Sequence, residues 1–291
     1  MLYLEHKPAP PLNLAVRSLW YARDCDAPGG RQLVLPTGRA QFVISLAREF
    51  LLDCSDDGPA RVGSAAQVVG ARSVYELIDA SDLKDLIGVV FHPGGLPLVT
   101  REAADQFTNR GMDLEALWGS EARRLRERLR DAPGPGQRLL CLEGFLLGRM
   151  TAGPVRGAAG RGALIGYALQ RFHAGAAVSD VARGTGWSER RFSQVFREET
   201  GLTPAVWRRV QRFQQAIGQL HAGAAVRWEQ LALNCGFYDQ AHFANEFRAF
   251  SGMDASTYMA AARPWANHVR ASRQISDFSK TRNKPGWHAL Q

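Results

Sequence analysis

The apolar positions of the first hundred residues come in short runs broken by turn signals. In 31–47, "RQLVLPTGRAQFVISLA", Phe42, Ile44 and Leu46 alternate onto one face after a Pro36-Thr37-Gly38 turn, which predicts strand, turn and strand. "AQVVG" and "LIGVVFHPGG" read as two further strands, the second stopped by Pro93-Gly94-Gly95. Around residue 101 the period changes from two to that of a helix. "SEARRLRERLRDA" offers Ser120 as N-cap and a Leu125/Leu129 stripe among charges, and after "PGPGQ" the apolar "RLLCLEGFLLGRM" forms a second helix. A Pro/Gly turn between two helices predicts an antiparallel hairpin, either packed on the sheet or serving as a dimer seam over 120–150. The stretch 151–162, "TAGPVRGAAGRG", has little apolar bulk and reads as a linker.

Beyond it, one cadence is written twice. Ala182 and Gly186 correspond to Ala232 and Gly236; Phe192, Phe196, Gly201 and Trp207 correspond to Phe243, Phe247, Gly252 and Tyr258. In each copy a short Ala-bearing helix ends at a Gly-aromatic corner and a second helix follows at once, the grammar of a helix-turn-helix. Between the copies, Thr203 is the expected N-cap and Pro204 the first residue of a helix. Its positions Val206, Val210, Phe213, Ile217 and Leu220 recur at helical spacing, with Arg208, Arg209, Arg212 and Gln215 elsewhere on its surface.

Charge sharpens the division. Of the 36 basic and 28 acidic residues, 18 and 9 lie from Arg156 onward, so that segment carries 18 − 9 = +9 and the first 155 residues carry 18 − 19 = −1. A basic excess confined to the half with the repeat points to a polyanion as partner. The four cysteines, Cys25, Cys54, Cys141 and Cys235, are too scattered for a zinc cluster, and buried thiols are expected. The start, "MLYLEHKPAP", does not read as a signal peptide and no apolar run is long enough for a bilayer, so a soluble cytoplasmic protein without membrane contact is expected.

With the double motif, the connecting helix and the "GLTP" that closes the first copy, the region from Arg161 to Arg263 resembles the DNA-binding domain of the AraC/XylS family of bacterial transcription regulators. It departs from that pattern in the second copy, where "GMDA" replaces the usual Gly-x-Ser-Pro and Asn245 stands where an arginine is common. The front half is similar to the β-barrel sensor domains attached to the family. The resemblance implies an α+β chain with three parts. A small cupin-like β-barrel with a helical hairpin over 1–153 serves as sensor and dimerisation domain. An all-α domain of two helix-turn-helix motifs joined by a linker helix spans 161–263, and a basic tail, read as a mobile extension, spans 264–291. The implied partners are double-stranded DNA, a small-molecule effector at unknown residues, RNA polymerase if the protein is an activator, and a second copy through 120–150.

Helical projection at about 100° per residue sorts the faces. In the first recognition helix Phe192, Val195 and Phe196 turn inward, and Arg190, Ser193, Gln194 and Arg197 lie opposite, with Arg191 on the flank. Arg190 suits guanine and Gln194 adenine, while Arg197 near the helix end suits a phosphate. In the second, Ala241, Ala244, Asn245 and Arg248 oppose Phe243, Phe247 and Phe250, with Gln240 and His242 flanking. A metal-dependent β-barrel enzyme is disfavoured because the front half holds only His6 and His92, and a zinc-cysteine DNA-repair protein because the cysteines lack the spacing. No enzyme activity, metal or cofactor is expected. A constitutive DNA binder without a ligand shares the back half, so only the front half discriminates. There Trp20, Tyr21, Phe42 and Phe91 with Arg39 make either a pocket with a charged anchor or plain core.

Overall fold

A computed structural model describes residues 2–23, 30–53, 61–79, 83–152, 158–221, 227–261 and 267–270. Cys25, Cys54, the centre of the linker stretch and the tail beyond residue 270 lie outside them. The front half holds the strands β1 (Leu2–His6), β2 (Val16–Arg23), β3 (Arg31–Val34), β4 (Gln41–Ser45), β5 (Phe50–Asp53), β6 (Arg61–Ser64), β7 (Ala66–Val69), β8 (Glu76–Asp79), β9 (Asp85–Phe91) and β10 (Gly111–Asp113). Short helices α1 (Leu96–Thr100) and α2 (Leu114–Trp118) flank β10. The hairpin is α3 (Ser120–Asp131) and α4 (Pro135–Thr151). The back half is helical: α5 (Ala158–His173), α6 (Val178–Gly184), α7 (Glu189–Thr200), α8 (Pro204–His221), α9 (Trp228–Asn234), α10 (Gln240–Ser251) and α11 (Ala255–Ala260). A last strand, β11 (His268–Arg270), follows.

All strand pairs are antiparallel and form two sheets, in the orders β1-β2-β9-β4-β7-β10 and β11-β3-β8-β5-β6. Alternation along β2 and β4 assigns the faces. Leu19, Tyr21, Phe42 and Ile44 join the core beneath the helical hairpin, whereas Trp20 and Val43 turn toward Leu51 and Ile78 of the second sheet. Leu125, Leu129, Leu139, Leu142 and Leu146 are all buried in that first core. The stripe that offered itself as a dimer seam is therefore consumed by the chain's own sheet, and Leu140, 61% exposed, is what the hairpin leaves outside. Ser120 does not cap α3. Gly119 occupies that position without a side-chain bond, and the Ser120 hydroxyl instead accepts from Arg124 Nη1 at 2.9 Å.

The halves share apolar contacts. Leu33, Leu35, Ala71, Tyr75 and Leu77 of the sheet domain lie in one buried cluster with Phe192, Phe196, Trp207, Phe213 and Phe247 of the helical domain. The part of the tail that is described does not extend freely. Val269 is buried opposite Leu33 and His268 opposite Val34, so β11 adds a strand to the second sheet and returns the chain to the front half.

Candidate functional site

The two recognition helices are built by the same local chemistry. Each begins on a side-chain cap: Ser188 Oγ accepts from the Arg191 amide at 3.3 Å, and Asp239 Oδ1 from the His242 amide at 2.7 Å. Each is preceded by a glycine with φ of +75°, Gly186 and Gly236, a backbone region costly for any residue with a Cβ. Phe192, Val195 and Phe196 are buried beneath α7, and Phe243, Phe247 and Phe250 beneath α10. Between them α8 runs 18 residues, about 27 Å at 1.5 Å per residue. Thr203 caps it as expected, its Oγ1 accepting from the Val206 amide at 3.4 Å.

Three of the α8 side chains expected on its surface, Arg209, Arg212 and Gln215, are struts. Arg209 makes a two-pronged pair with Glu246 at 2.6 and 2.8 Å, and this pairing raises its pKa. Arg212 donates to the Gly236 carbonyl at 3.2 Å and lies over the Phe237 ring, and Gln215 Nε2 donates to the Asn234 carbonyl at 3.2 Å. These three side chains thus fix the second motif to the connecting helix. The first motif is tied back by Arg161, which reaches Glu198 and Glu199 at 3.1 and 2.9 Å.

Of the residues expected at DNA, Arg190, Arg191, Gln194 and Arg197 are exposed on α7 and Ser193 is half-buried. Arg191 lies over the Trp187 ring and donates to Gln194 Oε1 at 3.4 Å, while Gln194 Nε2 donates to Glu198 at 2.9 Å. Arg190 makes none of these bonds and stands open. Arg197 has a partner that the sequence did not foretell: its Nε lies 3.5 Å from Asp105, on a short 3-10 turn (Ala104–Phe107) of the sheet domain. Beside it, Thr108 donates to the Gly201 carbonyl at the end of α7. On α10, Gln240, Asn245 and Arg248 are exposed. His242 is instead half-buried, its ring against Phe237 and its Nδ1 accepting from the Tyr238 amide at 3.3 Å, which gives it a structural part in the corner. Tyr238 itself is 86% exposed just ahead of the Asp239 cap of α10, on a side the sequence reading does not consider.

The front half contains a cavity of about 520 Å³ between the two sheets, bordered by the helical domain. Trp20 and Arg39 line it, whereas Tyr21, Phe42 and Phe91 are fully buried in the core under the hairpin. Its outer wall comes from the other half. Gln214 Nε2 donates to the Pro36 carbonyl at 2.8 Å and to Asn267 Oδ1 at 3.0 Å, and Gln211 Nε2 donates to the Thr37 carbonyl at 3.3 Å. His268, from β11, also lines it, and burial pushes its imidazole down to about 4.

A helix-turn-helix domain family matches residues 181–261, and a domain of unknown function (DUF6597) matches residues 4–113. No protein of curated function matches the chain in sequence. Among solved structures, ToxT from Vibrio cholerae O395 is similar over 83% of this chain and 95% of its own, at 11% identity and a TM-score of 0.43. ToxT from V. cholerae strain SCE256, crystallised with an unsaturated fatty acid, is similar over 88% and 94%, at 10% identity and a TM-score of 0.42. Likenesses of that size leave the assignment to the family match and to the paired corners, caps and buried phenylalanines of the chain itself, and on these residues 181–261 form a helix-turn-helix domain.

Proposed function

We propose that the protein is a sequence-specific transcription regulator that grips duplex DNA with α7 and α10 and is controlled by a small molecule held between its sheets. The observation that carries this reading is the duplicated motif on one stiff connecting helix, each copy presenting an exposed stripe, polar on α7 and mixed with alanines on α10, over a buried phenylalanine face. A span of about 27 Å compares with the ~34 Å between successive major-groove faces of B-DNA. Arg190 is the first base reader, open and unspent, with Gln194 and Asn245 reading adenines and Arg248 meeting phosphate. Ligand control is supported by the cavity's walls, which come from both halves, so a molecule inside it touches the domain that carries the reading helices. Regulation, not catalysis, is the role these features serve.

Binding-site selection with the full chain tests the reading. An operator should emerge, its affinity should fall steeply with salt, and Arg190→Ala should cost about 1–3 kcal/mol against the preferred base while relaxing specificity there. Absence of any binding at low salt would end the proposal.

A further inference from the structure

We infer that Glu198, held in place by Arg161, is a positioning residue for base reading: it turns the Gln194 amide so that one donor and one acceptor are left for the DNA, a pair that fits adenine and misfits guanine. The inference rests on the reading of α7 as a base-reading helix and adds what sets the choice of base there.

A relay of side chains runs along one side of α7. Arg191 Nη1 donates to Gln194 Oε1 at 3.4 Å, and Gln194 Nε2 donates to Glu198 Oε1 at 2.9 Å. From α5, Arg161 Nη1 donates to the other Glu198 oxygen at 3.1 Å and to Glu199 Oε1 at 2.9 Å. A guanidinium only donates and a carboxylate only accepts, so these partners leave the amide one orientation, oxygen toward Arg191 and nitrogen toward Glu198. The acceptor is itself held. Glu198 is only 24% exposed, pinned by a guanidinium that also grips the more deeply buried Glu199, whereas Gln194 stands exposed on the reading stripe.

Counting donors and acceptors gives the consequence. A side-chain amide carries two N–H donors and an oxygen with two lone pairs, and one of each is used within the relay. One N–H and one lone pair remain. Adenine presents an N7 acceptor and an N6 donor in the major groove, which that remainder matches, whereas guanine presents two acceptors, N7 and O6. An unrestrained glutamine could turn both N–H groups to guanine. Here one of them is spent on Glu198, and the amide oxygen would face O6 acceptor to acceptor, leaving both without a donor. The second motif lacks the device. Asn245 stands where Gln194 does, but Ala249 takes the place of Glu198 and His242 that of Arg191, its ring turned to Phe237 and to the Tyr238 amide.

The test uses the full chain and the operator obtained by binding-site selection. The adenine whose preference Gln194→Ala removes is replaced by guanine, and gel-shift titration gives the ratio of the two affinities. In the parent this ratio should be about tenfold or more. Glu198→Ala should bring it to about threefold or less while tightening binding to both duplexes, because a carboxylate near the phosphates is gone. Arg161→Ala should lower the ratio too, but with weaker binding to both, because a cation is lost. Glu198→Gln keeps the size of the side chain and a carbonyl that can accept from Gln194, so it should keep the ratio and tighten both. A merely structural role would move both affinities together. An unchanged ratio in Glu198→Ala or Arg161→Ala, or a Glu198→Gln that loses it as fully as Glu198→Ala, would overturn the inference, as would an operator with no adenine that answers to Gln194→Ala; each leaves the regulator reading intact. Failure to select any operator would overturn both.

Discussion

At the scale of single residues, the contact between Arg197 and Asp105 is the most consequential. Helical periodicity puts Arg197 on the open face of α7, where it belongs on a phosphate, but the folded chain gives it a carboxylate from the other half. Both side chains retain solvent exposure, so the pair itself contributes no more than about 1 kcal/mol. On the proposed reading its importance lies in competition: a DNA phosphate that meets Arg197 displaces Asp105, whose carboxylate also repels the DNA backbone. Asp105→Asn is expected to tighten DNA binding by the full chain several-fold and to steepen the salt dependence by about one phosphate contact. Parallel salt titrations of parent and variant check this, and identical slopes would remove Arg197 from the set of phosphate contacts. The pairing was illegible in the sequence because the periodicity of α7 assigns its faces without saying which distant loop packs against one end.

At the scale of elements, the repeat was legible almost entirely. Two aromatic pairs, two glycine corners and the Thr203-Pro204 start are local signals, and each sits where helix geometry puts it. The two-sheet half was legible where alternation is clean, as in Phe42 and Ile44, and β11 was not. His268-Val269-Arg270 carries no alternation of its own and is a strand only because the edge of β3 pairs with it. That strand introduces a pH dependence. Burial lowers the His268 pKa from 6.5 to about 4, so as pH falls the undocked strand takes up a proton before the docked one. The docking of β11 should be at full strength above about 6.5 and weaken progressively between 6.5 and about 4. Hydrogen exchange at the Leu35 amide, which donates to the Asn267 carbonyl at 2.8 Å, should accelerate beyond its intrinsic pH trend over that window. In His268→Gln that excess should vanish; an exchange rate that tracks the intrinsic trend in the parent as well would refute the coupling.

At the scale of the whole molecule, the step in charge and the weak 151–162 stretch read as a boundary between two independent units, whereas the fold makes them share a core. A boundary in sequence records where local patterns change; whether the units then bury apolar surface against each other depends on side chains such as Leu33, Leu35, Ala71 and Tyr75, which look like ordinary strand residues until their partners are seen. The approach is close. Gly38 is in the left-handed region at φ +69°, and a Cβ there would come within 3.1 Å of Gln211 Nε2, so that turn meets α8 nearly backbone to side chain. Tyr75 lies against Gly252, at the end of the second recognition helix, on the other side of the same interface. Two units joined by a common cluster should unfold together, and calorimetry of the parent chain is expected to give one transition. Tyr75→Ala deletes a large buried ring from the junction at a cost of about 3–5 kcal/mol. Because the ring bridges the halves and is not central to either, that loss should fall mainly on their coupling, so the variant's endotherm should separate into two, with the helical half melting first. Arg190→Ala, which touches no buried group, should leave the single transition in place. A Tyr75→Ala endotherm that moves down as one peak would instead mean that the ring stabilises a single cooperative unit whose halves cannot part, and control of DNA binding would then have to act through shifts within a docked molecule.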